Sequence, residues 1–146
     1  MTNIAEMLRN RARQTPDQVG LGYLDRRFTW REFYEQSYSI SQRLARAGSG
    51  RGDVVAIYLP HSAGQAAALF AASMCEAVFT IVNPMLVAEQ IKHQVRDAAV
   101  KAIIGSAPLL APLAGFFAEA GIHVEELAPE GLSAQDCEPD CDLERP

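Results

Sequence analysis

One stretch, residues 53–84, restricts this chain to a single class of fold. It reads DVVAIYLPHSAGQAAALFAASMCEAVFTIVNP and divides into two short apolar runs, 54–59 and 78–82, joined by a small-residue helix over 63–77 that Ser62 can cap. Apolar runs without alternation are typical of strands buried on both faces. Because a helix of about four turns separates them, the two strands must run parallel, with a right-handed crossover. The unit predicts an α/β fold.

Two further helix starts are visible upstream of this unit. Asn3 with Glu6, and Thr29 with Glu32, have the spacing of a capping box. The second of these helices repeats its apolar residues at spacings of four and three up to Gly48, a natural helix stop. This pattern predicts a helix that lies on a sheet.

A small hairpin is predicted between these two helices. Residues 19–24 and 27–29 form two short runs separated by Asp25 and Arg26. Strand alternation would then place Val19, Leu21 and Tyr23 on one face.

Downstream, helices and strands continue to alternate. We predict a helix over 87–98, a parallel strand over 101–104, a helix that contains residues 109–117 and a strand over 122–127. This order predicts an open, mostly parallel, doubly wound sheet flanked by helices.

The charge of the chain is unevenly distributed and suggests where the folded part ends. The net charge of −5 combines 12 basic and 10 acidic residues over 1–124 with Arg145 and eight acids over 125–146. Apolar periodicity also stops after residue 128, where Pro, Gly, Ser and acids take over. We therefore predict an α/β subdomain over 1–128 and an acidic linker or tail over 129–146.

Composition excludes several classes of protein. A chain of 146 residues with 49% hydrophobic and 21% charged residues is typical of one globular domain. No apolar stretch is long enough to span a bilayer, and the first residues lack a signal-peptide core, so we expect a cytoplasmic protein without membrane association. Arg9, Arg11 and Arg13 are not interleaved with aromatic residues in this acidic chain, so we expect no nucleic-acid partner.

Two patterns that could carry chemistry are better explained structurally. The glycines of GSGRGD, residues 48–53, follow a helix and precede a strand, whereas a phosphate cradle needs glycines at the start of a helix; we predict a turn. Cys75 is predicted to be a packed thiol, and Cys137 and Cys141 are predicted to be reduced thiols in solvent, since two further zinc ligands with ordinary spacing are missing. We assign no catalytic, cofactor-binding or metal-binding residue.

Four segments in order carry a family likeness. They are RFTWREF at 27–33, GDVVAIYLPHS at 52–62, EAVFTIVNP at 76–84, and the helix and strand at 89–104. Together they resemble the early motifs of the adenylate-forming ligases, the superfamily of acyl-CoA synthetases, luciferases and peptide-synthetase adenylation domains. The likeness covers roughly residues 16–105 and implies the amino-terminal subdomain of an acyl-CoA synthetase-like, AMP-binding ligase.

The sequence departs from the family's pattern at two positions. Glu76 stands where the family usually has glycine, so its carboxylate either lies at the surface or strains a close approach of helix and strand. His61 replaces the usual asparagine. It either lines a pocket at the carboxyl end of its strand, where open α/β sheets bind ligands, or caps the next helix.

The parts of the family that handle phosphates have no counterpart in this sequence. Adenylation in the family uses a Ser/Thr/Gly-rich loop with a lysine, an aromatic-Gly-x-Thr-Glu segment, a ribose-binding aspartate and a distant lysine. The lysines of this chain are Lys92 and Lys101, both inside the α/β pattern. The resemblance therefore implies that ATP and Mg²⁺ serve the complete enzyme, that this chain alone binds no cofactor, and that it is inactive by itself.

The resemblance implies a scaffold in an AMP-forming carboxylic acid ligase, which makes acyl-AMP from an acid and ATP and then a thioester. A natural split enzyme and a truncated product both fit, with a carboxyl-terminal ligase portion or a second copy as partner. The alternative is a non-catalytic interaction module that retains the ligase fold and whose acidic tail attracts a basic partner. Loss of a packing partner predicts an exposed apolar patch.

Overall fold

The computed structural model describes residues 3–137 of the chain. Within this range the helices are α1 (Ile4–Gln14), α2 (Trp30–Arg46), α3 (Ala63–Met74), α4 (Ala88–Asp97), α5 (Ala107–Leu110) and α6 (Ala114–Glu119). The strands are β1 (Val19–Tyr23), β2 (Arg26–Thr29), β3 (Val54–Tyr58), β4 (Val78–Ile81), β5 (Val100–Gly105) and β6 (His123–Glu126). Two 3-10 turns are Ala111–Leu113 and Ala134–Asp136.

Within the described residues, the main sheet has four parallel strands in the order β4-β3-β5-β6. Strands β1 and β2 form a separate antiparallel hairpin. The chain leaves β3 for the edge strand β4 and then returns to the other side of β3 as β5. This arrangement confirms the predicted α/β class, with its parallel sheet, flanking helices and small hairpin.

Helices cover both faces of the sheet. One face of β3, with Val55 and Ile57, packs in a cluster with residues of α1, α2 and α3. The other face, with Ala56 and Tyr58, packs in a second cluster with residues of α4, α5 and α6. Successive residues of β3 thus serve opposite clusters, as the pleat of a strand requires, and the sheet is doubly wound.

Helix starts follow the capping signals in the sequence. Asn3 Oδ1 accepts the Glu6 N–H at 3.1 Å and so opens α1. At α2, Thr29 Oγ1 accepts the Glu32 N–H at 3.1 Å, while Glu32 Oε1 accepts the Thr29 N–H at 2.9 Å, which is a complete capping box. Both predicted caps are confirmed.

The prediction that both strands of the 53–84 unit are buried is wrong for β4. This strand lies at the edge of the sheet, where the exposed fractions of Val78 and Ile81 are 55% and 45%. Both faces of a strand are buried only where helices cover them fully; this cover is incomplete at the edge of a sheet, and sequence does not reveal strand order.

Two other elements differ from the sequence expectation. The helix predicted around 109–117 is divided into α5, a 3-10 turn and α6, since Pro112 has no N–H to continue a helical ladder. In the hairpin, the turn residues are Leu24 and Asp25, and the register shifts between Val19 and Leu21. Val19 is therefore exposed and does not share the environment of Leu21.

The helices within residues 3–137 are at most 17 residues long. Each of these helices is too short or too polar to cross a bilayer.

Candidate functional site

The carboxyl ends of β3 and β5 define the switch point of the sheet. The helix after β3 packs on one face and the helix after β5 packs on the other, and open α/β sheets bind ligands in the crevice between two such strands. Here residues 127–137, which we call the closing segment, run past this position. Leu127 N–H donates to Gly105 O at 2.8 Å, and Gly64 N–H, in the first turn of α3, donates to Pro129 O at 2.8 Å. The chain's own backbone thus occupies the switch point.

The closing segment is packed by side chains as well as by backbone. Leu132 is buried, and its N–H donates to Oε1 of the buried Gln36 at 3.1 Å. Arg43 Nη2 donates to Asp136 O at 3.1 Å. Residues 129–137, which sequence assigns to an acidic linker or tail, therefore lie against the α/β unit. Residues 138–146 lie outside the described range, and the division at residue 128 stays a prediction.

An open cavity lies beside the switch point, at the carboxyl ends of β3 and β4. Its volume is about 450 Å³. The lining residues are Leu59, Pro60, His61, Gln65, Ile81, Asn83, Pro84 and Met85. His61 thus lines a pocket at the end of its strand, which was one of the two expectations for it. The other is wrong, since Ser62 caps α3 by accepting the Gln65 N–H at 3.2 Å.

Gln65 fixes the hydrogen bonding of His61. Gln65 Nε2 donates to the Leu59 carbonyl at 3.2 Å, so its Oε1 must act as the acceptor toward His61 Nδ1, 3.1 Å away. In neutral His61 the proton is therefore assigned to Nδ1, and Nε2 is left as an acceptor. The cavity offers hydrogen-bonding groups on apolar walls, but none of its lining residues is a lysine, arginine or carboxylate.

Sequence reasoning missed Gln65, Gln36 and Arg43. The spacing of Ser62 and Gln65 is that of a capping box, which could have drawn attention to Gln65. Its side chain turns instead to Leu59 O and His61, contacts that depend on the path of residues 59–62. Gln36 and Arg43 had no comparable signal, because their partners lie more than ninety residues further along the chain.

Both lysines are engaged in structural contacts. Lys101 Nζ donates to Gly48 O at 2.7 Å and lies 3.1 Å from Asp53 Oδ2. Lys92 Nζ lies 3.4 Å from Glu89 Oε1 and 5.7 Å from the ring centroid of Phe116. Neither lysine is among the residues that line the cavity at the ends of β3 and β4.

The contacts of Lys101 also help to explain the turn conformation of the GSGRGD segment, residues 48–53. Asp53 Oδ2 accepts the Gly50 N–H at 2.8 Å, and this bond, together with Lys101, lowers the pKa of the Asp53 carboxyl. Gly48 and Gly52 have positive φ angles, as a tight connection from α2 to β3 requires. The predicted turn is confirmed.

The described cysteines are both partly buried. Cys75 Sγ donates to Ser41 O at 3.3 Å, and burial raises the pKa of its thiol, so the predicted packed thiol is confirmed. Cys137 is half-buried against the core, where burial also raises its thiol pKa; its predicted solvent position is wrong. Cys141 is outside the described range. Within residues 3–137, no three His, Cys, Asp or Glu residues are grouped to hold a metal ion.

Glu76 follows the last turn of α3 in a conformation that favours glycine. Its φ is +57°, and its backbone accepts the Gly52 N–H at 3.2 Å. The carboxylate lies at the surface, 3.7 Å from Arg51 Nε, and both side chains are largely exposed. Of the two expectations for Glu76, the surface position is confirmed, and the backbone conformation gives a physical reason for glycine there.

Replacing Glu76 by glycine is expected to raise the free energy of unfolding by about 1 kcal/mol, because glycine adopts positive φ without a Cβ penalty. The exposed ion pair with Arg51 contributes little against this gain. Urea denaturation measures the difference. Glu76→Ala is the matched control, since it removes the ion pair but retains a Cβ; equal stabilities of the two variants would contradict the explanation.

A family model places most of the chain in a known group of sequences. The model described as AMP-binding enzyme matches residues 8–142. Human mitochondrial acetyl-coenzyme A synthetase 2-like is 34% identical over 98 residues, which are 63% of this chain and 14% of that protein. The 2-succinylbenzoate–CoA ligase of Bacillus anthracis is 26% identical over 104 residues, covering 71% of this chain and 22% of the ligase. The chain thus spans a small part of these relatives.

Solved structures show the same fold. A putative long-chain-fatty-acid CoA ligase from Rhodopseudomonas palustris superposes with a TM-score of 0.80 at 20% identity, over 96% of this chain and 37% of that one. The O-succinylbenzoate coenzyme A synthetase of Bacillus subtilis, solved with ATP and magnesium, superposes with a TM-score of 0.73 at 21% identity. The superposition covers 82% of this chain and 32% of that one.

Proposed function

The chain belongs to the family of AMP-binding enzymes, and from this membership we propose that it is the amino-terminal scaffold subdomain of an AMP-forming carboxylic acid ligase. The complete enzyme would use ATP and Mg²⁺ to convert an acid to acyl-AMP and pyrophosphate, and would then transfer the acyl group to a thiol. The family match over residues 8–142 is the observation that carries the proposal. We further propose that the protein works in the cytoplasm.

The charges of the described residues support a scaffold that does not react alone. Stabilising a triphosphate during adenylation requires preorganised positive charge or metal ions around the phosphates. Lys101 is bound to Gly48 and Asp53, and no lysine or arginine lines the cavity at the ends of β3 and β4. The Gly64 N–H, at the amino end of α3, already donates to Pro129 O.

The exposed edge of the sheet supports the proposal that the chain binds a partner. Residues 77–88, which include β4, contain no charged side chain, and Met85 is 87% exposed just beyond the strand. Strand alternation directs the backbone N–H and C=O groups of Phe79 away from β3, where a further strand could bind them. We propose that the partner is the complementary ligase portion or, failing that, a second copy of this chain.

Pyrophosphate exchange tests the proposal. The chain alone, given ATP, Mg²⁺ and an acid, is expected to show no exchange above background. Exchange is expected when the chain is mixed with a ligase portion encoded beside it, or with the Bacillus anthracis 2-succinylbenzoate–CoA ligase from which the segment equivalent to residues 8–142 has been removed. 2-Succinylbenzoate is the acid for the second mixture.

The segment removed from that ligase, added back as a separate chain, is the positive control for assembly. Exchange by the present chain alone would overturn the scaffold proposal. Restoration by the control segment but by no mixture containing the present chain would favour the alternative, a non-catalytic interaction module.

A further inference from the structure

A second concave site lies between α1, the start of α2 and α3. It has a volume of about 320 Å³. Its lining residues are Ile4, Met7, Leu8, Arg11, Trp30 and Phe70. We call it the α1 groove. It shares no residue with the cavity at the ends of β3 and β4, and the proposed ligase function assigns it no role, although Trp30 belongs to the RFTWREF segment of the family likeness.

The apolar floor of the α1 groove is held in place by the core. Leu8 is buried, and the ring of Phe70 packs edge-on against Phe33 with centroids 5.4 Å apart. Trp30 is half-buried beneath the hairpin, where a side chain at Gly20 would collide with the indole ring. Aromatic side chains fixed in this way offer a preformed surface to an apolar ligand.

Arg11 adds a positive charge at the rim of the groove. The guanidinium carbon lies 5.9 Å from the centroid of the Trp30 ring, within range of a cation–π contact. Arg11 is exposed, and no carboxylate from residues 3–137 forms an ion pair with it. A guanidinium held at the border of an apolar surface can receive a carboxylate through two parallel hydrogen bonds.

We propose that the α1 groove binds a small amphiphilic carboxylate. The apolar body lies against Leu8, Trp30 and Phe70, and the carboxylate accepts hydrogen bonds from Arg11. The binding is non-covalent and separate from adenylation, so it holds whether or not the chain completes a ligase. The charge of Arg11, added to an apolar floor, is what selects an anion over a neutral molecule of the same size.

Trp30 provides the readout, because it is the single tryptophan of the chain. Octanoate and 1-octanol are titrated against the purified full chain while Trp30 emission is recorded. Octanoate is expected to produce a saturable change and to bind more tightly than 1-octanol. Arg11→Gln is expected to weaken octanoate binding by about tenfold while changing that of 1-octanol by less than about twofold. The octanoate affinity of Arg11→Lys, which keeps the charge, is expected to lie between the affinities of the unaltered chain and of Arg11→Gln.

Arg51→Gln is the matched control, since Arg51 is an exposed arginine outside the groove, and it is expected to leave both titrations unchanged. Met7→Phe fills the rim from an exposed position and is expected to weaken both probes. The proposal is overturned if octanoate produces no saturable change, or if Arg11→Gln weakens both probes equally or neither. A circular dichroism spectrum of each variant verifies that the fold is retained.

Discussion

Replacing Phe117 by alanine is expected to lower the free energy of unfolding by about 3–5 kcal/mol, the usual cost of removing a buried aromatic ring. Phe117 is fully buried among the residues that pack α4, α5 and α6 on the sheet. Because small domains are stable by about 5–15 kcal/mol, the loss would be a large share of the total. Urea denaturation followed by circular dichroism measures it.

Phe116 is the matched control for this experiment, because it is the same residue type one position earlier. It is half-buried, and its ring lies 4.8 Å from the guanidinium carbon of Arg96 and 5.7 Å from Lys92 Nζ. Exposed cation–π contacts contribute roughly 0.5–1 kcal/mol, so Phe116→Ala is expected to cost about 1 kcal/mol. Equal losses at the two positions would mean that Phe117 is not the ring that fills the core.

Gly64→Ala is expected to lower the free energy of unfolding by about 1–3 kcal/mol and to loosen the closing segment. A Cβ built on Gly64 would collide with the carbonyl oxygen of Ala128, and the Gly64 N–H bond to Pro129 O would be strained. The obstacle is backbone, which cannot move aside as the end of a side chain can. Hydrogen exchange at the Leu132 amide, which bonds to Gln36 Oε1, is expected to accelerate.

Gly115→Ala makes the same chemical change in α6, where nothing lies within 4 Å of the added Cβ. There the helix propensity of alanine is expected to raise the free energy of unfolding by about 0.5–1 kcal/mol. The two substitutions should therefore act in opposite directions. A stabilising effect of both would show that the closing segment does not press on α3.

The parallel sheet of this fold could be predicted because each of its strands and helices carries a signal in its own sequence. The apolar runs around Val55 and Ile103, the cap at Thr29 and the proline after Leu59 each restrict the backbone without reference to distant residues. Predicted strand ends accordingly lie within one residue of those in the structure, which is inside the scatter expected of element boundaries. The likeness to ligases also identified Glu76 as a departure, and its φ of +57° explains why glycine suits that position.

Features that depend on contacts between remote residues could not be predicted. The edge position of β4 follows from strand order, and the packing of Leu132 follows from a bond to Gln36, 96 positions earlier. The sequence of residues 129–137 has no hydrophobic periodicity, because this segment is held by backbone hydrogen bonds and one buried leucine and does not bury a whole apolar face. For the cavity beside His61, the sequence predicted only its position at the carboxyl end of β3. The orientation of its imidazole depends on Gln65.

The unpaired edge of β4 affects how readily this polypeptide associates at high concentration. Among residues 3–137 the sheet ends at Val78–Ile81, a strand with no lysine, proline or bulge. Gln94 Nε2 already donates to Ile81 O at 3.1 Å, so the template for an extended peptide is short and centred on Phe79. Association of the chain through this edge is then expected to increase with the concentration of extended polypeptide around it. Dilution, or occupation of that edge by another strand, is expected to reduce such association without any change in the core.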